Sequence, residues 1–153
     1  MYDKILVPTD GSTVAENAVE HALDIAEQYG AEVHALYVVD VDSMSLTLGA
    51  EQLDRIEAGR FDEMDEVRSN AEEATGYVAD RAAERGLEAV EHISSGRPHE
   101  KVASYAEDNG IDLVVMGSHG RSGVRRVLLG SVTERTLRET RVPALVVDAR
   151  GEG

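Results

Sequence analysis

The sequence predicts an α/β protein with an open, five-stranded parallel sheet that is doubly wound, with helices on both faces. Apolar or β-branched segments of strand length recur along the chain, and segments with helical spacing of their apolar residues separate them. Helices of this length between strands require crossover connections, so we expect parallel strands and right-handed crossovers. In such sheets ligands bind beyond the carboxyl ends of the strands, where the strand order reverses.

Composition and turn residues mark the five predicted strands. The first is a compact apolar run that ends at Pro8, whose ring fixes the exit of the chain. The fourth is also apolar and runs directly into Gly117, whereas the second is rich in β-branched and aromatic residues. In chain order the predicted strands cover residues 4–7, 32–39, 87–93, 111–116 and 144–147.

Capping patterns and glycine stops mark the four predicted helices. Thr13-x-x-Glu16 is a capping-box pattern at the start of the first helix, and Pro98 takes the first position of the third. The predicted helices run from 13 to a stop at 30, from 61 to a stop at 86, from 98 to a stop at 110, and from 132 to 140. The segment 40–50 shows neither periodicity and is expected to be a loop, and the segment 40–59 receives no role.

Length and composition favour a single domain that stays in the cytoplasm. A chain of 153 residues buries one core and is too short for two, so we expect one domain over 1–149 and a short tail over 150–153. No apolar run approaches the roughly 20 residues that cross a bilayer, so no membrane partner is expected. The first residues contain no secretory pattern, and the chain has no cysteine for disulfides, thiolate metal sites or nucleophilic catalysis.

The formal net charge of -15 disfavours functions that need a basic surface. Nucleic-acid backbones and anionic lipids are bound by basic footprints, so we expect no nucleic-acid partner. So many carboxylates also repel one another at ordinary ionic strength, whereas at about 1 M salt the screening length falls to roughly 3 Å. With only two lysines, Lys4 and Lys101, this charge indicates a halophilic source; the alternative is an ordinary acidic cytosolic protein.

A glycine pattern follows the fourth predicted strand. Gly117-Ser118-His119-Gly120 is separated by nine residues from Gly130-Ser131, which opens a helix, so the pattern is G-x-x-G-x9-G-S. Glycines let backbone amides approach an anion, and a helix start adds unpaired amides and the positive end of its dipole. The segment 117–141 also holds six arginines against two glutamates. Phosphate is the ligand that this combination favours, with Arg121, Arg125 and Arg126 as candidate partners.

A simpler interpretation stays open for the same residues. Ser131-x-x-Glu134 is also a capping-box pattern, and the glycines are typical of an ordinary turn. The three arginines are equally suited to pairing with the many carboxylates of the chain. A capping hydroxyl can also turn from the helix amides toward a phosphate oxygen, so the two interpretations overlap.

Four pieces of the sequence together resemble the universal stress protein family. They are Pro8-Thr9-Asp10 after the first strand, Tyr37-Val38-Val39-Asp40 after the second, Gly96-x-Pro98, and the G-x-x-G-x9-G-S pattern. The last is specific when combined with the element order, and the resemblance covers essentially the whole chain. It implies a Rossmann-like fold of the adenine nucleotide alpha hydrolase type, with ATP and Mg at the switch point.

The resemblance also implies roles for individual residues. The turn at Pro8 and Thr9 lies near the ribose and adenine, Asp10 accepts ribose hydroxyls, and the Val38 backbone bonds the adenine edge. The remaining nucleotide-binding residues that it implies are Met116, Gly117, Gly120, Gly130, Ser131, Val132 and Thr133. His119 and Arg121 are predicted as further phosphate contacts from the residues of the loop themselves. Asp10 is equally typical of a turn or cap, and His119 of a solvated loop. The other histidines lack metal-site spacing, so no protein metal site is predicted.

Three functions remain after other nucleotide motifs are excluded. The chain has no Walker lysine motif and no G-x-G-x-x-G after the first strand, and it has Ile93-Ser94-Ser95 where a receiver domain needs an acidic residue. The leading hypothesis is an ATP-binding stress-response regulator without catalytic residues, because the phosphate cradle has no evident base or nucleophile beside it. The alternatives are a slow ATP hydrolase that uses Asp10 or His119, and a homodimeric interaction module that binds no nucleotide. The resemblance implies a homodimer through the strand 144–148.

Overall fold

The computed structural model describes residues 1–40, 65–119 and 129–148, and its strands follow the predicted order. The strands are β1 (Lys4–Pro8), β2 (Glu32–Asp40), β3 (Ala89–Gly96), β4 (Leu113–Gly117) and β5 (Ala144–Val147). The helices are α1 (Thr13–Tyr29), α2 (Asp65–Glu84), α3 (Pro98–Asp108) and α4 (Ser131–Glu139). The predicted α/β class is thereby confirmed.

All the strand pairs of the sheet are parallel, and the strand order is β3-β2-β1-β4-β5. β2 and β3 lie on one side of β1, in chain order. The chain then crosses back, and β4 and β5 lie on the other side of β1. The order therefore reverses between β1 and β4, where Ile5 pairs with both Val33 of β2 and Leu113 of β4. In a parallel sheet the crevice beyond this point is the expected ligand site.

Hydrophobic clusters cover both faces of the sheet, as a doubly wound fold requires. Ile5 and Val7 of β1 face a cluster that includes residues of α1 and α2, all in the same packed core. Leu6, between them in sequence, faces a second cluster that includes Val102 and Ala106 of α3. This alternation follows from the two-residue period of a strand, and it fixes which side of β1 each helix covers.

Several element ends differ from the predicted ones. α1 is capped by Ser12, whose side chain accepts a hydrogen bond from the Ala15 amide, so the predicted cap at Thr13 is wrong by one residue. β3 begins two residues later than predicted and extends to Gly96, because its ladder with β2 continues through Asp40↔Gly96. The predicted start of the long helix at 61 and most of the predicted loop at 40–50 lie outside the described residues, while α2 is described from residue 65.

An ion-pair network joins α1 to α2. The Glu20 carboxylate lies 2.8 Å from the Arg81 guanidinium and 2.9 Å from that of Arg85. Arg85 also contacts Asp24 on α1. The hydrogen bond from Arg81 is the largest cause that lowers the pKa of Glu20. Arginine therefore neutralises acidic charge between two helices of a strongly acidic chain.

No helix in the described ranges is long and apolar enough to cross a membrane. Residues 1–40, 65–119 and 129–148 also hold no group of three or more acidic or histidine side chains placed to bind a metal ion.

Candidate functional site

The turn after β1 is closed by its own side chains. The Thr9 amide donates to the Leu36 carbonyl of β2 at 2.9 Å, and the Thr9 hydroxyl accepts from the Gly11 amide at 3.1 Å. Asp10 Oδ1 accepts from the Ser12 amide at 2.9 Å. Gly11 has φ 79°, a conformation that favours glycine. Asp10 thus forms a side-chain turn here, the role left open in the sequence, while its contact with a ribose stays a prediction.

The first turn of α1 lies directly on the end of β4. A Cβ atom at Gly117 would stand 2.7 Å from Val14 Cγ1 and 3.2 Å from the Val14 carbonyl carbon. Gly117 is therefore required by the close approach of a helix and not by a left-handed φ. Val14 was not among the predicted site residues, because a buried valine in a helix has no sequence signal that distinguishes it from the rest of the core.

The start of α4 is joined to the same end of β4 through backbone groups. Gly130 is the N-cap, with φ -68° and ψ 159°, and its amide donates to the Ser118 carbonyl at 2.7 Å. A Cβ atom at Gly130 would stand 3.0 Å from His119 Cα, so this glycine also serves close approach. The Thr133 hydroxyl donates to the Gly117 carbonyl at 2.9 Å. Strand end and helix start thus form one unit.

The capping box that the sequence left open at Ser131 is not formed. Ser131 is the first helical residue instead of the cap, and among the described residues no side-chain hydrogen bond caps the helix. Glu134, the acidic member of the pattern, instead pairs with Arg138 at 2.8 Å. The first amides of a helix have no acceptor within it, and the helix dipole makes this end positive. The start of α4 is therefore suited to an anion.

Two other predicted residues, Met116 and Val38, direct their side chains into the core. The Met116 side chain is 4% exposed and packs in the second hydrophobic cluster, and Val38 packs against the same cluster. Val38 lies two residues beyond Leu36, which forms the last β1–β2 pair with Pro8. Its backbone therefore extends past the end of β1, toward the switch point.

The structure brings the turn at 9–12, the end of β4 and the start of α4 to one edge of the sheet. His119 lies between β4 and α4, where its Nδ1 shares a hydrogen bond with the Ser118 hydroxyl at 3.2 Å. Ser131 and Val132 are exposed at the start of α4. Ser118, absent from the predicted contacts, connects three elements, because its amide donates to the Val147 carbonyl at 2.8 Å. Gly120, Arg121, Arg125 and Arg126 lie outside the described residues.

A buried polar cluster lies elsewhere on the sheet. His34 is 5% exposed, and its Nε2 donates to Glu32 at 2.6 Å while its Nδ1 shares a hydrogen bond with the Tyr105 hydroxyl at 2.7 Å. Burial raises the pKa of Tyr105. These contacts join β2 to α3.

Comparison with known proteins gives a consistent family. The profile of the Universal stress protein family matches residues 1–148. Universal stress protein MJ0531 of Methanocaldococcus jannaschii is 39% identical over 96% of this chain and 82% of its own length. The solved structure of MJ0577 is 32% identical, with a TM-score of 0.75 over 97% of this chain and 96% of that one.

A third similarity concerns the fold alone. A universal stress protein from Archaeoglobus fulgidus, solved in complex with dAMP, has a TM-score of 0.68 over 95% of this chain and 98% of that one. Its sequence is 20% identical.

Proposed function

The chain belongs to the universal stress protein family, and from this premise we propose that it is an ATP-binding regulatory protein with little or no catalytic activity. The nucleotide lies at the switch point between β1 and β4. The observation that supports this most directly is the uncapped start of α4, which stands beside the end of β4 with Gly117 and Gly130 in close contact with neighbouring residues. The ends of the strands and a helix start there offer one surface to a nucleoside and one to phosphates.

The nucleoside half of the proposed site lies on the β1 side. The Val38 backbone passes the end of β1, and the turn that contains Asp10 closes beside it. In this arrangement Val38 bonds the adenine edge and Asp10 the ribose hydroxyls. The Archaeoglobus fulgidus protein holds dAMP on the same fold. At its low identity that complex supports the fold as a nucleotide scaffold, and the assignment of contacts rests on the residues of this chain.

The phosphate half lies at α4. The Ser131 and Val132 amides face the phosphates in this arrangement, since the Gly130 amide donates to the Ser118 carbonyl. Gly120, His119 and Arg121 complete the proposed contacts. The described residues offer no cluster of metal ligands. Magnesium bound to ATP takes many of its ligands from phosphates and water, so the site needs to supply few.

Little catalysis is expected because, in the proposed arrangement, Asp10 bonds the ribose hydroxyls and so lies away from the phosphates. His119 shares a hydrogen bond with Ser118 beside the start of α4. A general base has to reach the attacking water in a competent geometry. We expect phosphate release from Mg-ATP to remain at the level of a blank, and release that Asp10→Ala abolishes would establish the hydrolase instead.

A homodimer through residues 144–148 is part of the proposal. β5 is an edge strand of the sheet, and Leu145 on it is 37% exposed. An edge strand presents backbone groups that can pair with another chain. Analytical ultracentrifugation of the full chain tests this: a single species of twice the chain mass supports the dimer, and a monomer at all concentrations rejects it.

Thermal melting with and without Mg-ATP tests nucleotide binding. A ligand at 100 times its dissociation constant adds about 2.7 kcal/mol to the free energy of unfolding. For a chain of this size we expect that gain to raise Tm by roughly 5–10 °C. Mg without nucleotide and Mg-GTP are the controls for the ion and for the base. An unmoved melt together with silent calorimetry at millimolar ATP would reject the proposal.

A further inference from the structure

Three threonines lie buried in helices of the described chain, and one of them uses its hydroxyl differently. The hydroxyls of Thr75 and Thr136 each donate to the carbonyl one turn back in their own helix, at 3.2 Å and 2.7 Å. This is a common way to satisfy a helical threonine. The Thr133 hydroxyl instead leaves α4 and donates to the carbonyl of Gly117, 16 residues away in sequence at the end of β4.

The location of Thr133 gives this contact its importance. Thr133 is the third residue of α4 and is 3% exposed, so its hydroxyl is held inside the protein. The Gly130 amide makes the second bond between the same two elements, to the Ser118 carbonyl at 2.7 Å. Two hydrogen bonds therefore fasten the first turn of α4 to the last residues of β4 and their continuation.

This contact links the two halves of the proposed ATP site. Gly117 packs against Val14 in the first turn of α1, directly after the Asp10 turn of the nucleoside half, and the helix start at 131–132 receives the phosphates. The bond between Thr133 and Gly117 thus fixes the spacing between the strand end and the helix amides. Small displacements of a binding group have large effects on affinity when the ligand has to reach two fixed places.

We infer that Thr133 is a positioning residue that sets the distance between the nucleoside half and the phosphate half of the site, and that its hydroxyl does not contact the ligand. The inference rests on the proposed function and replaces the direct contact with the nucleotide that the resemblance implied for Thr133. The inference also predicts which ligands the hydroxyl affects. The affinity for a triphosphate, which spans both halves, depends on the Thr133 hydroxyl, and the affinity for a monophosphate depends on it less.

The experiment compares Mg-ATP and AMP by isothermal titration calorimetry on four proteins: wild type, Thr133→Val, Thr133→Ser and Thr136→Val. Thr133→Val removes the hydroxyl and keeps the shape, and we expect it to weaken ATP about tenfold, the scale of one buried hydrogen bond, and AMP less than about threefold. Thr133→Ser keeps the hydroxyl and should recover most of the ATP affinity. Thr136→Val removes an equally buried hydroxyl of the same helix and should leave both affinities unchanged.

Other results would overturn the inference. A positioning role is contradicted if Thr133→Val binds ATP with wild-type affinity, or if it loses affinity for ATP and AMP equally. It is also contradicted if Thr136→Val weakens ATP as much as Thr133→Val does. If Thr133→Val does not fold at the assay temperature, Thr133→Ala removes the same hydroxyl without placing a methyl group against the carbonyl, and the same expectations apply. A wild-type chain that binds neither nucleotide rejects the proposed function itself, and this is known before any variant is measured.

Discussion

Two helices begin beside the same edge of the sheet, and their starts are built in opposite ways. At α1 the Ser12 hydroxyl accepts from the Ala15 amide at 3.2 Å, and Asp10 accepts from the Ser12 amide. At α4 the cap is Gly130, which has no side chain to offer, and no side chain of the described residues takes its place. One helix start is capped by its own side chains, and in the proposal the other receives phosphate.

The two turns have similar composition, since both combine glycine, serine and a following helix. The proposal assigns the phosphate to α4 and not to α1, because a helix start whose amides are already accepted by side chains gains less from an anion. The predictions below test this contrast, from the largest expected effect to the smallest.

Ser131→Glu should abolish ATP binding while the fold survives. The new carboxylate stands at the first residue of α4, where it repels phosphate, and like charges in contact cost several kcal/mol. We expect affinity for ATP to fall by about 100-fold or more. The same carboxylate interacts favourably with the helix dipole, so the free energy of unfolding should stay constant or rise by about 0.5 kcal/mol. Calorimetry and chemical denaturation measure the two effects.

Ser104→Glu is the matched control for this variant. Ser104 is exposed on α3, so the same change of charge occurs on a helix surface outside the site. We expect ATP affinity close to wild type. An equal loss of ATP affinity in both variants would mean that the added charge acts over the whole molecule. Wild-type ATP affinity in Ser131→Glu would show that α4 does not hold phosphate.

Gly117→Ala should destabilise the contact between α1 and β4. Its Cβ atom would stand 2.7 Å from Val14 Cγ1 and 3.2 Å from the backbone of Val14, so the helix has to move. Overpacking of this kind costs about 1–3 kcal/mol. Gly76→Ala is the control, since a Cβ atom there meets nothing within 4 Å. In the middle of α2 it should stabilise by about 0.5–1 kcal/mol. Urea denaturation of both variants gives the comparison, and equal stabilities would contradict the close approach.

Ser12→Ala and Ser131→Ala test the closed and open helix starts with one substitution. Ser12 caps α1, and loss of such a cap costs about 1 kcal/mol. Ser131 caps nothing, so its removal should change the free energy of unfolding by less than about 0.5 kcal/mol. Denaturation midpoints measure both. A larger loss at Ser131 would show that its hydroxyl caps α4 in solution and that the contrast between the two starts is wrong.

The smallest effect concerns pH and the attachment of α1 to α2. Hydrogen bonding from Arg81 lowers the pKa of Glu20 from its ordinary value of 4.5. A carboxyl group with a lowered pKa in the folded state stabilises the protein above 4.5, and this contribution is lost as the pH falls through the folded-state pKa. Glu20→Gln should therefore reduce stability at neutral pH and flatten its decline in acid, by less than the changes above because solvent screens the network.

Denaturation of wild type and Glu20→Gln at a series of pH values from neutral into acid checks this expectation. Glu72→Gln is the control, because the ion pair between Glu72 and Arg68 lies within α2. If the free energy of unfolding of wild type and of Glu20→Gln varied with pH in parallel, the expected role of Glu20 would be contradicted.

The sequence was informative where one local rule decides the outcome. β5 has the predicted bounds, because Pro143 sets its start and its apolar run is short. α1 ends at Gly30 in the left-handed conformation, as glycine stops commonly do. The α/β class followed from the alternation of elements, since helices between strands leave little choice of connection.

Elements whose ends depend on distant partners were less predictable. Ser94 and Ser95 broke the apolar pattern that predicted an end at Ile93, yet β3 continues because β2 supplies backbone partners as far as Asp40. Neighbouring Ser12 and Thr13 are both good caps, and composition does not select between them. These outcomes are decided by tertiary pairing, which a local pattern does not contain.

The site shows the same division between local and distant information. The glycine pattern drew attention to Gly117 and Gly130, but it attributed both to free amides, whereas the structure shows close packing against Val14 and His119. The bond from Thr133 to Gly117 crosses from helix to strand, so no spacing rule could reveal it. The glycine pattern therefore pointed to this edge of the sheet, and only the fold showed which residues Gly117, Gly130 and Thr133 contact.

The bond between the Ser118 carbonyl and the Gly130 amide, at 2.7 Å, puts the exit and the return of the segment 119–129 side by side. A chain that leaves and re-enters a scaffold at one point can be exchanged at small entropic cost, since each doubling of length costs only about 0.6 kcal/mol. Segments of other lengths and charges can therefore replace the one between Ser118 and Gly130. Altered ligand preference could be engineered there without redesigning the sheet.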